Sequence, residues 1–103
     1  MARPRIELHA LIQQTVGEDV RVYFQPPSDI KMSFPCIVYE RARTDTHFAN
    51  DNPYLGTKRY TLTSINRDPD SEIPELIATL PMCTHSSYFV TNYLNHDVFD
   101  IFF

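Results

Sequence analysis

The sequence predicts an α+β domain: a mostly antiparallel sheet of about five strands with two helices on one face, in the order α-β-β-β-α-β-β. Three observations carry this expectation. Two segments repeat apolar residues at helical spacing, and five others alternate apolar with polar residues or are rich in β-branched and aromatic ones. Consecutive strands are joined by short links, which favours antiparallel neighbours with helices packed on a single face. With 103 residues, 43% of them hydrophobic, the chain is read as a single domain over 1–103 with a real core.

The first helix starts at Pro4, where a missing N–H costs nothing, and runs to Val16. Leu8, Leu11, Ile12 and Thr15/Val16 recur at helical spacing and Gly17 supplies the stop. Residues 19–24 alternate Val20, Val22 and Phe24 with Asp19, Arg21 and Tyr23, the period of a half-buried strand. Residues 34–43 form a second strand opening near Pro35, and residues 58–66 a third. Between them, residues 44–57 are polar and carry Asn-Asp-Asn-Pro and Leu-Gly punctuation, so they read as a loop longer than most hairpin links.

The second helix opens after Asp68-Pro69-Asp70, with Ser71 or Asp70 as N-cap and Pro74 tolerated in its first turn. Ile73, Leu76, Ile77 and Leu80 form its expected core stripe, with Leu76 and Leu80 buried, and Pro81 ends it. Strands over residues 88–93 and 98–103 close the chain around a turn at Leu94-Asn95-His96-Asp97. Phe99, Ile101 and Phe103 share one face of the last strand and Phe102 points to the other. Something must cover so aromatic a strand, either the first helix or a neighbouring subunit.

Composition narrows the function. The formal charge is −4, the opposite of what gripping nucleic acid by its phosphates requires. The N-terminal segment lacks the apolar region of a signal peptide, and no stretch approaches the roughly 20 apolar residues of a membrane helix. Cys36 and Cys83 form no close motif and sit in apolar surroundings, which reads as two buried, reduced thiols.

Catalytic and phosphate-binding motifs are missing: there is no G-x-S-x-G, P-loop, G-x-G-x-x-G or H-E-x-x-H. Glycine occurs only at 17 and 56. His9 reads as a packed or surface residue of the first helix and His47 as a solvated loop residue. Cys83-x-His85 offers two metal ligands where a structural zinc needs four. An enzyme would have to assemble a site from Cys83, His85 and Asp97. The run Asp68-Pro69-Asp70-Ser71-Glu72 is accounted for by helix capping and the helix dipole more simply than by a paired-carboxylate site. Residues 40–45 alternate charge, which fits a solvated strand face or an intersubunit surface.

The element order, the FPCIVYERAR strand, the long loop, the YTLTSINRDPDSEI segment and the closing hairpin together resemble the tail terminator (tail completion) proteins of long-tailed bacteriophages. Related head–tail joining proteins share that plan. Residues 34–43 and 60–80 match best, and the element order covers almost the whole chain. The matching motifs are structural and of modest specificity.

The resemblance implies a structural virion protein without catalytic residues, cofactor or metal. It would act as a homo-hexameric ring that caps the tail tube, stops its polymerisation and joins it to the head connector. The implied partners are further copies of the chain, the tail tube protein and a connector or neck protein. DNA would pass through the ring without specific binding, no membrane is involved, and the place is the virion tail or neck, assembled in the host cytoplasm. Two alternatives remain: a neck or head-closure connector subunit, and a small protein-binding module that uses sheet-edge pairing. The interface candidates are Arg41, Arg43, Asp45, His47, Phe48, Tyr54, Leu55, Phe102 and Phe103. The aromatic residues of the long loop are expected to order on assembly.

Overall fold

The structure, a computed structural model, describes residues 4–27, 29–42 and 58–103. Helix α1 occupies Arg5–Val16, preceded by Pro4 in an extended conformation. Leu8 and Ile12, one turn apart, are fully buried, and Leu11 and Val16 pack at the flank of the same stripe. Each fully buried aliphatic side chain contributes roughly 1.5–3 kcal/mol over exposure. Gly17 ends the helix at φ 89°, where a side chain is strained, and its N–H donates to the Gln13 carbonyl at 2.9 Å. The Gln13 amide then donates to the carbonyls of Gly17 and Val20, at 2.8 and 2.9 Å, tying the helix end to the strand that follows.

Five strands form one sheet: β1 Arg21–Phe24, β2 Cys36–Arg41, β3 Arg59–Asn66, β4 Cys83–Thr91 and β5 Leu94–Phe102, with helix α2 at Ile73–Ala78. The spatial order is β1-β2-β3-β5-β4. The fold is therefore α+β in the expected α-β-β-β-α-β-β sequence. The sheet is mixed: β1 runs parallel to β2, while the other three pairings are antiparallel. Residues 25–35 make the parallel pairing possible, because a chain returning to run alongside its own strand needs a crossover that a tight turn cannot supply.

Register assigns the two faces. Ile37 and Tyr39 of β2 stand beside Ser64 and Leu62 of β3, and Leu62 and Tyr60 stand beside Phe99 and Ile101 of β5. These apolar side chains join Leu8, Ile12, Ile77 and Leu80 in one core, so both helices cover this face. Phe99, Ile101 and Phe103 are buried in that core. The chain's own helical layer thus covers the terminal strand. On the opposite face Cys36 and Ile65 are also buried. The segment before β2 returns along this side: the Ser33 N–H donates to the Tyr23 hydroxyl at 3.2 Å, and the Arg67 guanidinium lies over the Phe34 ring.

Three expectations need correction. Helix α2 is a short element in which Ile77 is buried but Leu76 is 39% exposed, with buried Leu80 two residues past its end. So short a helix presents a narrow stripe, through residues 73, 77 and 80, and Leu76 falls on its flank. The N-cap position falls at Glu72 rather than at Ser71 or Asp70, while the Ser71 hydroxyl accepts from the Ile73 N–H at 3.2 Å. The last hairpin turns at Asn92-Tyr93 rather than at residues 94–97, so His96 and Asp97 lie within β5. Asn92 and Tyr93 both take positive φ, 51° and 63°, which is the geometry of a two-residue hairpin turn whose twist matches the strands. Finally, Cys83 is half-buried rather than buried.

Candidate assembly surface

The two ends of the sheet differ in charge. Register places Arg21, Cys36 and Ile65 at one end, and Arg41 and Tyr60 at the other. The first end gathers exposed Glu18 and Asp19 before β1, and exposed Asp68, Asp70, Glu72 and Glu75 after β3, against Arg21 and Arg67. The sequence folds that way because Asp68 and its neighbours make a turn. The Asp68 N–H donates to Asn66 Oδ1 and the Asp70 N–H to Asp68 Oδ1, each at 2.9 Å.

The second end carries Arg41 and Arg59 on the strands, Lys58 just before β3 and Arg5 at the start of α1, against exposed Glu40 and Glu7. The Arg41 N–H donates to Gln25 Oε1 at 3.2 Å, and the Ala42 N–H donates to the Arg59 carbonyl at 2.9 Å. The first bond ties β2 to the residue after β1, and the second holds the backbone of β2 and β3 together up to the edge of the 43–57 segment.

Arg5 is drawn into a polar knot on the helix-facing side. Its guanidinium donates to the Tyr39 hydroxyl at 3.0 Å and lies over the Phe24 ring at 4.4 Å. The Tyr39 hydroxyl in turn shares a 2.8 Å hydrogen bond with His9 Nδ1. Burial, reinforced by the nearby Arg5 charge, pushes the His9 pKa below its ordinary value. The knot pins α1 to β2, giving His9 a packing role.

The other surface feature is β4. It lies at the edge of the sheet, and residues 84–91 are all exposed. Tyr88, Phe89 and Val90 are 52%, 46% and 57% exposed, and Tyr93 at the turn is 95% exposed. Phe89 stacks on His96 at a centroid distance of 4.6 Å, and the Tyr88 hydroxyl donates to Asn95 Oδ1 at 2.6 Å. Both rings are therefore held in place on the hairpin while one side of each remains open.

Of the interface candidates, Arg41 is exposed, Phe102 is half-buried and Phe103 belongs to the core. Phe103 is therefore not a surface residue of the subunit. Arg43, Asp45, His47, Phe48, Tyr54 and Leu55 lie outside the described residues, as does the whole 44–57 loop. The sequence reading placed this strand at residues 88–93 and missed its first part, from Cys83 to Ser87. A signal was present: between Glu75 and Asp97 there is no Asp, Glu, Lys or Arg.

The residues an enzyme would need are partly brought together. His85 Nε2 lies 3.2 Å from Asp97 Oδ1, and the imidazole meets Phe99 edge-on. Cys83 sits two residues before His85 on β4, but burial, with a smaller contribution from Asp100, pushes its thiol up to about 11. A thiol held protonated is a poor nucleophile and a poor metal ligand. Among the described residues no group of three or more His, Cys, Asp or Glu gathers to hold a metal, and no helix is long and apolar enough to cross a membrane. Comparison with known proteins returned no match, whether to family models, curated proteins or solved structures.

Proposed function

We propose that the chain is a structural assembly subunit, a tail-terminator-like protein that forms a hexameric ring on a phage tail tube, stops its growth and presents a face to the head connector. The observation that supports this best is the opposite charge of the two sheet ends. A closed ring is built from heterologous contacts in which one patch of each copy meets a different patch of the next. Acidic Glu18, Asp19, Asp68, Asp70 and Glu72 at one end and Arg41, Lys58 and Arg59 at the other supply two such patches on one subunit. Complementary charge steers and registers such contacts more than it tightens them. The net charge of −4 suits a ring through which DNA moves without adhering. A neck-connector subunit of the same particle would use the same two patches.

The test is tube growth followed by light scattering, with tail tube protein polymerising in the presence of the purified chain. Substoichiometric protein should halt growth, and Arg41→Glu should abolish the arrest without unfolding the subunit. Unimpeded growth with the parent protein would reject the terminator role.

A second reading, a protein-binding module that takes a partner strand, is favoured by the exposed β4 edge. It predicts binding of an extended peptide without ring formation.

A further inference from the structure

The two edges of the sheet are unlike. Edge strands that stay solitary are kept so by shortness, charge or proline. Strand β1 has these protections: it is four residues long, carries Arg21 and is followed by Pro26-Pro27. Strand β4 spans nine residues and has no Asp, Glu, Lys, Arg or Pro, its one irregularity being a bulge between His85 and Ser87. A sheet continuing head-to-tail from β4 onto the β1 of another copy would meet a guarded edge. A second β4 would not.

The backbone parity of β4 fixes which groups are on offer. The Phe102 N–H donates to Met82 of the β4 side, and the Phe103 N–H to Lys58 of the β3 side. Alternation along β5 therefore turns residues 94, 96 and 98 toward β4, where they face Thr91, Phe89 and Ser87. The backbone groups of Tyr88 and Val90 point the other way, into the open edge.

We propose that β4 is a self-docking edge, on which a second copy of this chain pairs antiparallel about a two-fold axis through Phe89. That register sets Tyr88 opposite Val90 of the other copy, and Val90 opposite its Tyr88, with their outward N–H and C=O groups bonding across. Each such pair is an aromatic against a β-branched side chain, a favourable cross-strand combination. On the other face Phe89 meets its own counterpart at the close spacing of a non-hydrogen-bonded pair. Shifting the axis to Tyr88 or to Val90 loses these pairs.

Charge favours the same occupant. Two copies, each at −4, repel one another over most of their surfaces, and the hairpin from Cys83 to His96 is where no carboxylate or ammonium opposes approach. The contact is small. Aromatic side chains present about 150–250 Å² each, so the half-exposed rings and Val90 offer on the order of 300 Å² per copy. That is well under the ~800 Å² per partner of a standard interface, so the dimer is weak and concentration-dependent. The pairing does not depend on the tail role: it joins copies by a two-fold axis, whereas a ring joins them through the charged sheet ends.

The experiment is sedimentation velocity on the full chain from micromolar to millimolar concentration, with cross-linking of single-cysteine additions. The sedimentation coefficient should rise from monomer to dimer. Phe89→Cys should form a disulfide-linked dimer on mild oxidation, because directly opposed residues of this kind come close enough to bridge. Thr91→Cys should not, since in this register it faces Ser87 of the other copy. Val90→Lys should keep the protein monomeric at every concentration while leaving its melting temperature within a few degrees of the parent. A chain that stays monomeric at millimolar concentration overturns the proposal, as does equal cross-linking of the two cysteine variants. Six-membered rings that form alone without a Phe89→Cys cross-link would overturn it too, yet support the ring. A Phe89-linked dimer whose parent protein fails to halt tube growth would do the reverse.

Discussion

The hydroxyl of Tyr39, fully buried on β2, lies 2.8 Å from Nδ1 of His9 on α1 and shares a hydrogen bond with it. Burial first, and Arg5 second, lower the folded pKa of His9 from 6.5. Below 6.5 the unfolded chain therefore binds more protons at this site than the folded one. Stability from His9 is present above pH 6.5 and is lost as pH falls toward its folded pKa. Urea midpoints of the parent and of His9→Gln, compared at pH 8 and pH 5.5, should diverge less at the lower pH; an unchanged difference would show that His9 does not titrate against folding.

Tyr39→Phe removes the acceptor for Arg5 and the hydrogen-bond partner of His9 while keeping the ring packed against Phe24 and Tyr60. Arg5 and His9 are only half-buried and regain water, so the loss should be about 1 kcal/mol. Chemical denaturation measures it. A cost above about 3 kcal/mol would mean that the knot holds α1 far more tightly than two part-exposed bonds explain.

Helix α2 gives a paired test. Ile77→Ala should cost about 2–5 kcal/mol, since the side chain is fully buried in the core. Leu76→Ala should cost less than about 1 kcal/mol, because that side chain is 39% exposed. Equal losses from the two substitutions would contradict the orientation of the helix.

Ser64 is 2% exposed on the helix-facing side of β3, and its hydroxyl meets no hydrogen-bond partner among the described residues. An unpaired buried hydroxyl costs more than it contributes. Ser64→Ala should therefore leave the melting temperature unchanged or raise it. A clear drop would reveal a bond to this oxygen.

Both thiols are held protonated. Burial pushes Cys36 up to about 11, and burial with Asp100 does the same for Cys83, from ordinary values of 9.0. Native protein should alkylate slowly with iodoacetamide at pH 8 and quickly once unfolded. Because the folded pKa values are raised, the stability these thiols contribute is complete below pH 9 and is lost as pH rises toward 11. Rapid labelling of the native chain at pH 8 would contradict this.

The parts of the fold legible in the sequence were those written in periodicity. Leu8 and Ile12 announced α1, and the alternation ending at Phe24 and the β-branched run at 59–66 announced strands. Three things were not written there. Parallel pairing of β1 with β2 depends on the path of residues 25–35, which local pattern does not encode. The Asn92-Tyr93 turn lacks the glycine that usually marks positive φ, so the more polar Asn95-His96-Asp97 looked like the turn instead. The start of β4 at Cys83 was hidden because an exposed edge strand needs no apolar alternation, and the same exposure makes Tyr88, Phe89 and Val90 available to a partner.

The central claim is that this chain closes into a ring on the end of a tail tube, and negative-stain electron microscopy of tubes mixed with the purified chain tests it most directly. The account predicts tubes ending in a ring of six subunits around an open lumen. Raising the salt concentration should slow the formation of these rings, because the proposed contacts are steered by charge. Bare tube ends at every ratio of chain to tube protein would contradict it.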